Sequence, residues 1–188
     1  KFWSNGMDLK YMDSASESES SAHFKATNEL MARLLCFPIP TIGAMGGHWC
    51  AAGGMMGLAL DYRIMASQRS YFFIPGVDIG LVYSKFQVAL MMSKLPVDMH
   101  RDVIVYNSRK WIGSELHQKG LVEAAVPTDE VLGAAKELAS KLRVKGQGMA
   151  RAAMGGIKRR VYSAVLDALQ DPEGSNMDVR GREKGVVQ

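Results

Sequence analysis

Cysteine is scarce in this 188-residue chain, with Cys36 and Cys50 the only two. They make neither a disulfide framework nor a metal-ligand cluster, so a reducing compartment is the default and both are expected as small packed side chains. His23, His48, His100 and His117 show no H-E-x-x-H or comparable spacing, and no metal site is expected. Neither the phosphate-loop pattern G-x-x-x-x-G-K-S/T nor G-x-G-x-x-G occurs. Aromatic residues make up only 8%, and no aromatic platform or named binding motif accompanies the positive charge, which argues against nucleic acid as a partner.

What is present describes a folded domain. An apolar content of 47% with 22% charged residues suits a soluble globular chain with one substantial core. Lys and Arg exceed Asp and Glu by 23 to 19, a net +4. The cations gather late, at Arg151, Lys158, Arg159 and Arg160, then at Arg180, Arg182 and Lys184. Such a patch is a solvated face, or a surface suited to a phosphorylated ligand. The chain begins at Lys1, so a targeting peptide would lie upstream of it.

The pattern alternates short strands with helices. "KFWSNGMDLKYM" ends an extended run that turns at Asn5-Gly6, and the polar "SASESESS" (14–21) reads as a mobile loop. "HFKATNELMARLLCF" places Phe24, Leu30, Met31, Leu34 and Leu35 at helical spacing, stopped by Pro38. "IPTIGAM" (39–45), "DYRIMAS" (61–67) and the start of "YFFIPGVDIG" (71–80) read as strands. Helices follow at "SKFQVALMMSKL" and "DMHRDVIVY", then at "TDEVLGAAKELASKL", with Val131, Leu132, Ala135, Leu138, Ala139 and Leu142 on one stripe. A last helix is expected over 157–170, ended by "DPEG". The class this predicts is α/β with parallel pairing.

Between the second strand and "DYRIMAS" lies "GGHWCAAGGMMGLALD" (46–61), almost free of charge. As part of a membrane span, Ile39 to Leu60 approaches the required ~20 apolar residues. Against this stand Pro38 and Pro40, His48 near the middle and abundant glycine, so no membrane partner is expected. A strand, a tight glycine turn and a helix beginning near Ala52-Gly53 account for more. Such a helix start leaves unpaired N–H groups, which with the helix dipole favour an oxygen carrying negative charge. Close helix–strand packing needs glycine in the same way.

"PIPTIGAMGGHWCAAGGMMGLALDYRIMAS" resembles the signature of the crotonase family, the enoyl-CoA hydratases and isomerases, P-x-I-A-A-x-x-G-x-A-x-G-G-G, an apolar helix, then D-x-R-I-A. "FWSNGMDLKYM" is similar to the family's F-x-A-G-x-D-L-x-x-M turn, and "SELHQKGLVEAAVP" to its later A-x-E-A-x-x-x-G-L-V-x-x-V-V-P stretch. Within the family the resemblance points to the Δ3,Δ2-enoyl-CoA isomerases. It implies a spiral of ββα units, with a core over 1–143 and a C-terminal helical segment over 144–188. The family's fold starts with a strand and a helix upstream of Lys1, so the chain is expected to be the latter three-quarters of a domain.

The resemblance also implies a chemistry. An acyl-CoA thioester would place its carbonyl oxygen on two backbone N–H groups, those of Met7 and Ala52, which form an oxyanion hole. Ser4, Asn5, Gly6, Asp8, Lys10, Gly53, Gly76 and Lys158 would bind the substrate, with Lys10 and Lys158 near its phosphates. Coenzyme A enters as part of the substrate, and no separate cofactor is implied. The first hydratase glutamate falls at Met55, which suits isomerisation of a 3-enoyl thioester in fatty-acid oxidation. The second carboxylate position is Gly76, and the position of a dienoyl-isomerase aspartate is Ser84. Asp78 is the nearest substitute base: in an extended segment it would face the same side as residue 76, whereas in a curled one it would point away and cap the next helix. Three possibilities stay open here: an isomerase with a displaced base, a thioester hydrolase or decarboxylase, and an acyl-CoA-binding protein without turnover. A homotrimer or dimer of trimers, in a mitochondrial, peroxisomal or other intracellular setting, is the assembly the resemblance implies.

Overall fold

The computed structural model describes residues 1–107 and 109–170. Two sheets run through it. One takes β1 (Phe2–Ser4), β3 (His48–Cys50), β5 (Tyr71–Phe73) and β6 (Trp111–Ile112) in that order, the other β2 (Ile42–Met45), β4 (Tyr62–Ala66) and β7 (Ala124–Val126). Every pairing is parallel except β5 with β6. The repeat is ββα: β2–β3 leads into α3 (Ala51–Ala59), and β4–β5 into α4 (Lys85–Lys94), each unit giving its first strand to one sheet and its second to the other. This alternation winds the chain into the expected spiral.

Before these units come α1 (Leu9–Ser14) and α2 (Glu17–Leu35); after them come α5 (Gly113–Gln118), α6 (Val131–Leu142), α7 (Gly148–Val161) and α8 (Ser163–Gln170). Among the described residues no helix is long and apolar enough to cross a membrane. Helix α3 can lie flat on the strands because it is glycine-rich. A Cβ at Gly57 would come within 2.6 Å of the Trp49 ring, and one at Gly54 within 3.2 Å of Phe72. Trp49, Phe72, Met45, Leu58 and Phe86 are fully buried around that contact, and α4, α5 and Val165 of α8 close the same core. A second apolar layer joins β2, β4 and β7 to α6 through Ile64, Ala66, Val131 and Ala135.

Several local expectations need correction. The serine- and glutamate-rich stretch at 14–21 is mostly helix: Ser16 caps α2, its hydroxyl taking the Glu19 N–H while the Glu19 carboxylate takes the Ser16 N–H. "DMHRDVIVY" is helical but irregular, a 3-10 turn at Val97–Met99 followed by a π turn at Arg101–Val105. The last helix begins at Gly148, earlier than expected, and breaks at Tyr162 into α7 and α8. On α6 the buried stripe is Val131 and Ala135, while Leu132 and Ala139 face solvent. "DPEG" and the cations Arg180, Arg182 and Lys184 lie outside the described residues.

The D-x-R part of the α3–β4 motif is structural. Arg63 is buried and donates to the carbonyls of Leu121 (2.7 Å), Leu60 (2.8 Å) and Asp61 (3.0 Å), and Glu123 pairs with it from just before β7. One carboxylate oxygen of Asp61 receives the Thr41 N–H and hydroxyl at 2.8 and 2.9 Å and the Lys158 ammonium at 2.6 Å. Lys158 also donates to the Phe37 and Ile39 carbonyls. The expectation that Lys158 meets a ligand phosphate is therefore corrected: its charge is buried in fastening α7 to the core.

Lys94 completes this cluster, donating to the Leu60 carbonyl at 3.2 Å and standing 4.8 Å from the centre of the Tyr162 ring. Burial pushes its ammonium down to about 8; the Arg63 and Lys158 cations push the same way, against Asp61 and Glu123. The unfolded chain holds that proton up to roughly pH 10.4. Between these values the unfolded state binds more protons, so Lys94 makes the folded state gain stability as pH rises. Urea midpoints at pH 7, 8.5 and 10 should show the wild type gaining on Lys94→Met across that window. Parallel profiles would refute the assignment.

Candidate active site

Two turns meet where the sheets open. The first follows β1: the Ser4 hydroxyl accepts the Gly6 N–H at 3.3 Å, and the Asp8 carboxylate caps α1 by accepting the Lys10 and Tyr11 N–H groups. The second is the entry to α3, where Cys50 is the N-cap and supplies no side-chain bond to the helix end. Gly6 has φ +87° and sits so close that a Cβ there would be 2.8 Å from the Ala51 Cβ and 3.1 Å from the Ala52 nitrogen. Ser4 and Gly53 form the layer behind: a Gly53 Cβ would fall 2.3 Å from the Ser4 hydroxyl oxygen. The Cys50 thiol ties the two turns together, donating to Asn5 Oδ1 at 3.3 Å. Burial pushes that thiol's pKa up, which keeps it protonated in this role.

Ala52 lies in the first turn of α3, where backbone N–H groups have no partner within the helix. Among the described residues the Met7 N–H has no hydrogen-bond partner either. Both residues line a cavity of about 520 Å³, a volume suited to a small organic ligand. Its walls come from Asn5–Lys10, from Cys50–Ala52 and Met55, from Phe73–Gly76, and from Ile79, Leu81, Tyr83 and Gln87. Among the described residues Asp8 and Lys10 are its only charged lining residues, both exposed.

The cavity thus gathers Asn5, Gly6, Met7, Asp8, Lys10, Ala52 and Gly76 from separate parts of the chain, while Ser4 and Gly53 stand behind its wall. Asp78 is not among them. The segment after β5 curls into a 3-10 turn at Val77–Ile79, with Gly76 already helical at φ −57°, ψ −48°. Asp78 is therefore exposed and accepts from the Asn107 amide, which corrects the expectation of a base facing the same side as residue 76. Ser84 is the cap of α4 inside a buried network: its hydroxyl accepts from the Gln87 N–H and the Asn28 amide, and Gln87 donates to Asn28 Oδ1.

Tyr83 and Gln87 are lining residues that no motif singled out. The Tyr83 hydroxyl accepts the Gly76 N–H at 2.6 Å and donates to the Ile74 carbonyl at 2.9 Å. Burial pushes its pKa up to about 12, so it is a neutral hydroxyl at physiological pH. Gln87 had one legible signal, the S-x-x-Q spacing from Ser84 that marks a capping box. Among the described residues no cluster of three His, Cys, Asp or Glu side chains is placed to hold a metal ion.

The two turns predict mutations of opposite sign. Ala51 is held at φ +53°, a left-handed conformation that costs an L-residue roughly 1–2 kcal/mol. Ala51→Gly should raise stability by less than about 1 kcal/mol, since glycine's extra chain entropy offsets part of the relief. Gly6→Ala adds strain and overlap together and should cost about 2–3 kcal/mol. Urea unfolding of both variants checks the pair, and equal signs would contradict the geometry.

Residues 1–178 match the enoyl-CoA hydratase/isomerase family. The chain is 32% identical to enoyl-CoA delta isomerase 2, peroxisomal, of Arabidopsis thaliana over 152 residues, covering 77% of this chain and 63% of that protein. It is 34% identical to enoyl-CoA delta isomerase 3 of the same plant over 128 residues, covering 66% of this chain and 54% of the relative. It therefore spans less than two thirds of the length of either. In fold it is similar to the crystal structure of a probable enoyl-CoA hydratase from Mycobacterium tuberculosis H37Rv, with a TM-score of 0.81 at 22% identity over 93% of this chain and 71% of that one. Motifs, fold and relatives agree, and the chain belongs to the enoyl-CoA hydratase/isomerase family, the crotonases.

Proposed function

We propose that this chain binds an acyl-CoA thioester in the cavity beside α3 and moves the double bond of a 3-enoyl thioester to the 2-position, a step in fatty-acid oxidation. One observation carries the reading: Met7 and Ala52 lie on two touching turns at the wall of an apolar cavity, each with a backbone N–H that has no partner among the described residues. Loss of a proton from C2 sends negative charge to the thioester oxygen, where two N–H donors stabilise the dienolate. Removing one such donor costs about 10²–10³ in rate. The C2–H electron pair becomes the new C2–C3 double bond, the old C3–C4 pair takes the proton at C4, and no redox partner is required. Met55 presents an apolar side chain to the cavity, which disfavours activation of a water for addition.

A carrier must hold the proton between C2 and C4. Gly76 has no side chain and Asp78 is turned to solvent, so this reading gives the task to Asp8, the one carboxylate lining the cavity among the described residues. Asp8→Asn is a clean probe because asparagine caps a helix as well as aspartate does. A second reading, binding without turnover, is favoured by the Asp8 carboxylate's existing commitment to the Lys10 and Tyr11 N–H groups. The family resemblance extends the proposal to assembly as a homotrimer or dimer of trimers.

The test is conversion of a trans-3-enoyl-CoA, followed by ultraviolet absorbance of the conjugated product, beside direct binding of a saturated acyl-CoA. Turnover reduced at least ~100-fold in Asp8→Asn and unchanged in Asp78→Asn is the expected result. Turnover indifferent to Asp8→Asn removes Asp8 from the mechanism. Saturable binding with no turnover in the wild type replaces the isomerase by the binding protein.

A further inference from the structure

Gly76 sits at the end of the Phe73–Gly76 wall in an ordinary right-handed conformation, so its backbone angles would admit any residue. What excludes a side chain is Tyr83. A Cβ on residue 76 would lie 2.2 Å from both Cζ and the hydroxyl oxygen of Tyr83, and 2.4 Å from Cε1. The overlap is with the phenol end of the ring, which two hydrogen bonds hold in place, from the Gly76 N–H and to the Ile74 carbonyl. Its root is held too, because the next residue, Ser84, is 2% exposed and bonded to Asn28 and Gln87. The ring cannot step aside without breaking one of these anchorages.

We propose that Tyr83 is the positioning residue of this wall: its ring takes the volume of a side chain on residue 76, and its hydroxyl fixes the Ile74–Gly76 backbone against which an acyl group packs. The proposal takes its ligand from the acyl-thioester reading above. The tyrosine contributes a neutral surface, so the wall carries no charge at any physiological pH. Gly76 and Tyr83 therefore form a coupled pair: residue 76 has room for a side chain only where the ring is absent.

The pair is tested without ligand by melting temperatures of Gly76→Ala, Tyr83→Ala and the double variant. Gly76→Ala should lower the melting temperature by several degrees when the ring is present and by almost nothing in the Tyr83→Ala background. Equal losses in both backgrounds would overturn the steric exchange. The positioning role is tested by binding of decanoyl-CoA to Tyr83→Phe at a temperature where circular dichroism shows it folded. Losing the hydroxyl leaves the Gly76 N–H and Ile74 carbonyl unpaired, and the dissociation constant should rise about tenfold. An unchanged constant would overturn the role and leave the tyrosine a packing residue. Failure of the wild type to bind decanoyl-CoA would instead sink the acyl-thioester reading, and with it the positioning role, while the melting comparison still decides the exchange.

Discussion

The arrangement depends on two stretches of backbone being allowed to touch. The turn after β1 and the first turn of α3 approach so closely that Gly6 and Gly53 have no room for a single added carbon. Everything that defines this end of the cavity follows from that contact. It places Met7 and Ala52 on one wall, makes the Cys50 thiol a stitch to Asn5, and turns Ser4 into a backing strut. The N–H groups brought together there belong to the backbone, so the identity of these residues as Met and Ala matters little beside their position. The strained φ of Ala51 is a cost carried at the tightest point of this approach.

A second constraint is electrostatic. Arg63, Asp61, Lys158 and Lys94 bring charge into a region with little water, and each is matched by carbonyls or an opposite charge. Such a cluster is costly to break because removing one member strands another. It joins the end of α3, strands β4 and β7, and helices α4 and α7, all behind the cavity rather than inside it. The division of labour is clear: charge holds the scaffold, and neutral groups line most of the cavity.

Much of this was legible in the residues. Strand–turn–helix order, the β2 and β4 strands, α4 and α6 all follow from apolar spacing, and the glycine-rich entry to α3 was readable as a close-contact turn. What escaped did so for physical reasons. The first turns of α2 bury nothing, so apolar periodicity was silent and only the Ser16–Glu19 cap marked the helix. Helix α7 buries only Lys158, and a lysine on an apolar face is read as surface. For Asp78 the sequence offered both an extended and a curled segment, and the choice is made only by the backbone, which turns helical at Gly76. Tyr83 was invisible as a substitute for a side chain at residue 76 because the two are seven residues apart and meet only through the curl of the loop.

The Lys158–Asp61 link carries a consequence for how the protein assembles. Its partners are 97 residues apart in the chain, and Val165 of α8 seals the same core. Contacts of such separation reward the chain only after a large loss of loop entropy. During synthesis the Asp61 carboxylate emerges long before its ammonium, and the link cannot form until α7 has been made. Docking of α7 then comes after the sheets it fastens, and the Met7–Ala52 end of the cavity sits on a scaffold braced from behind.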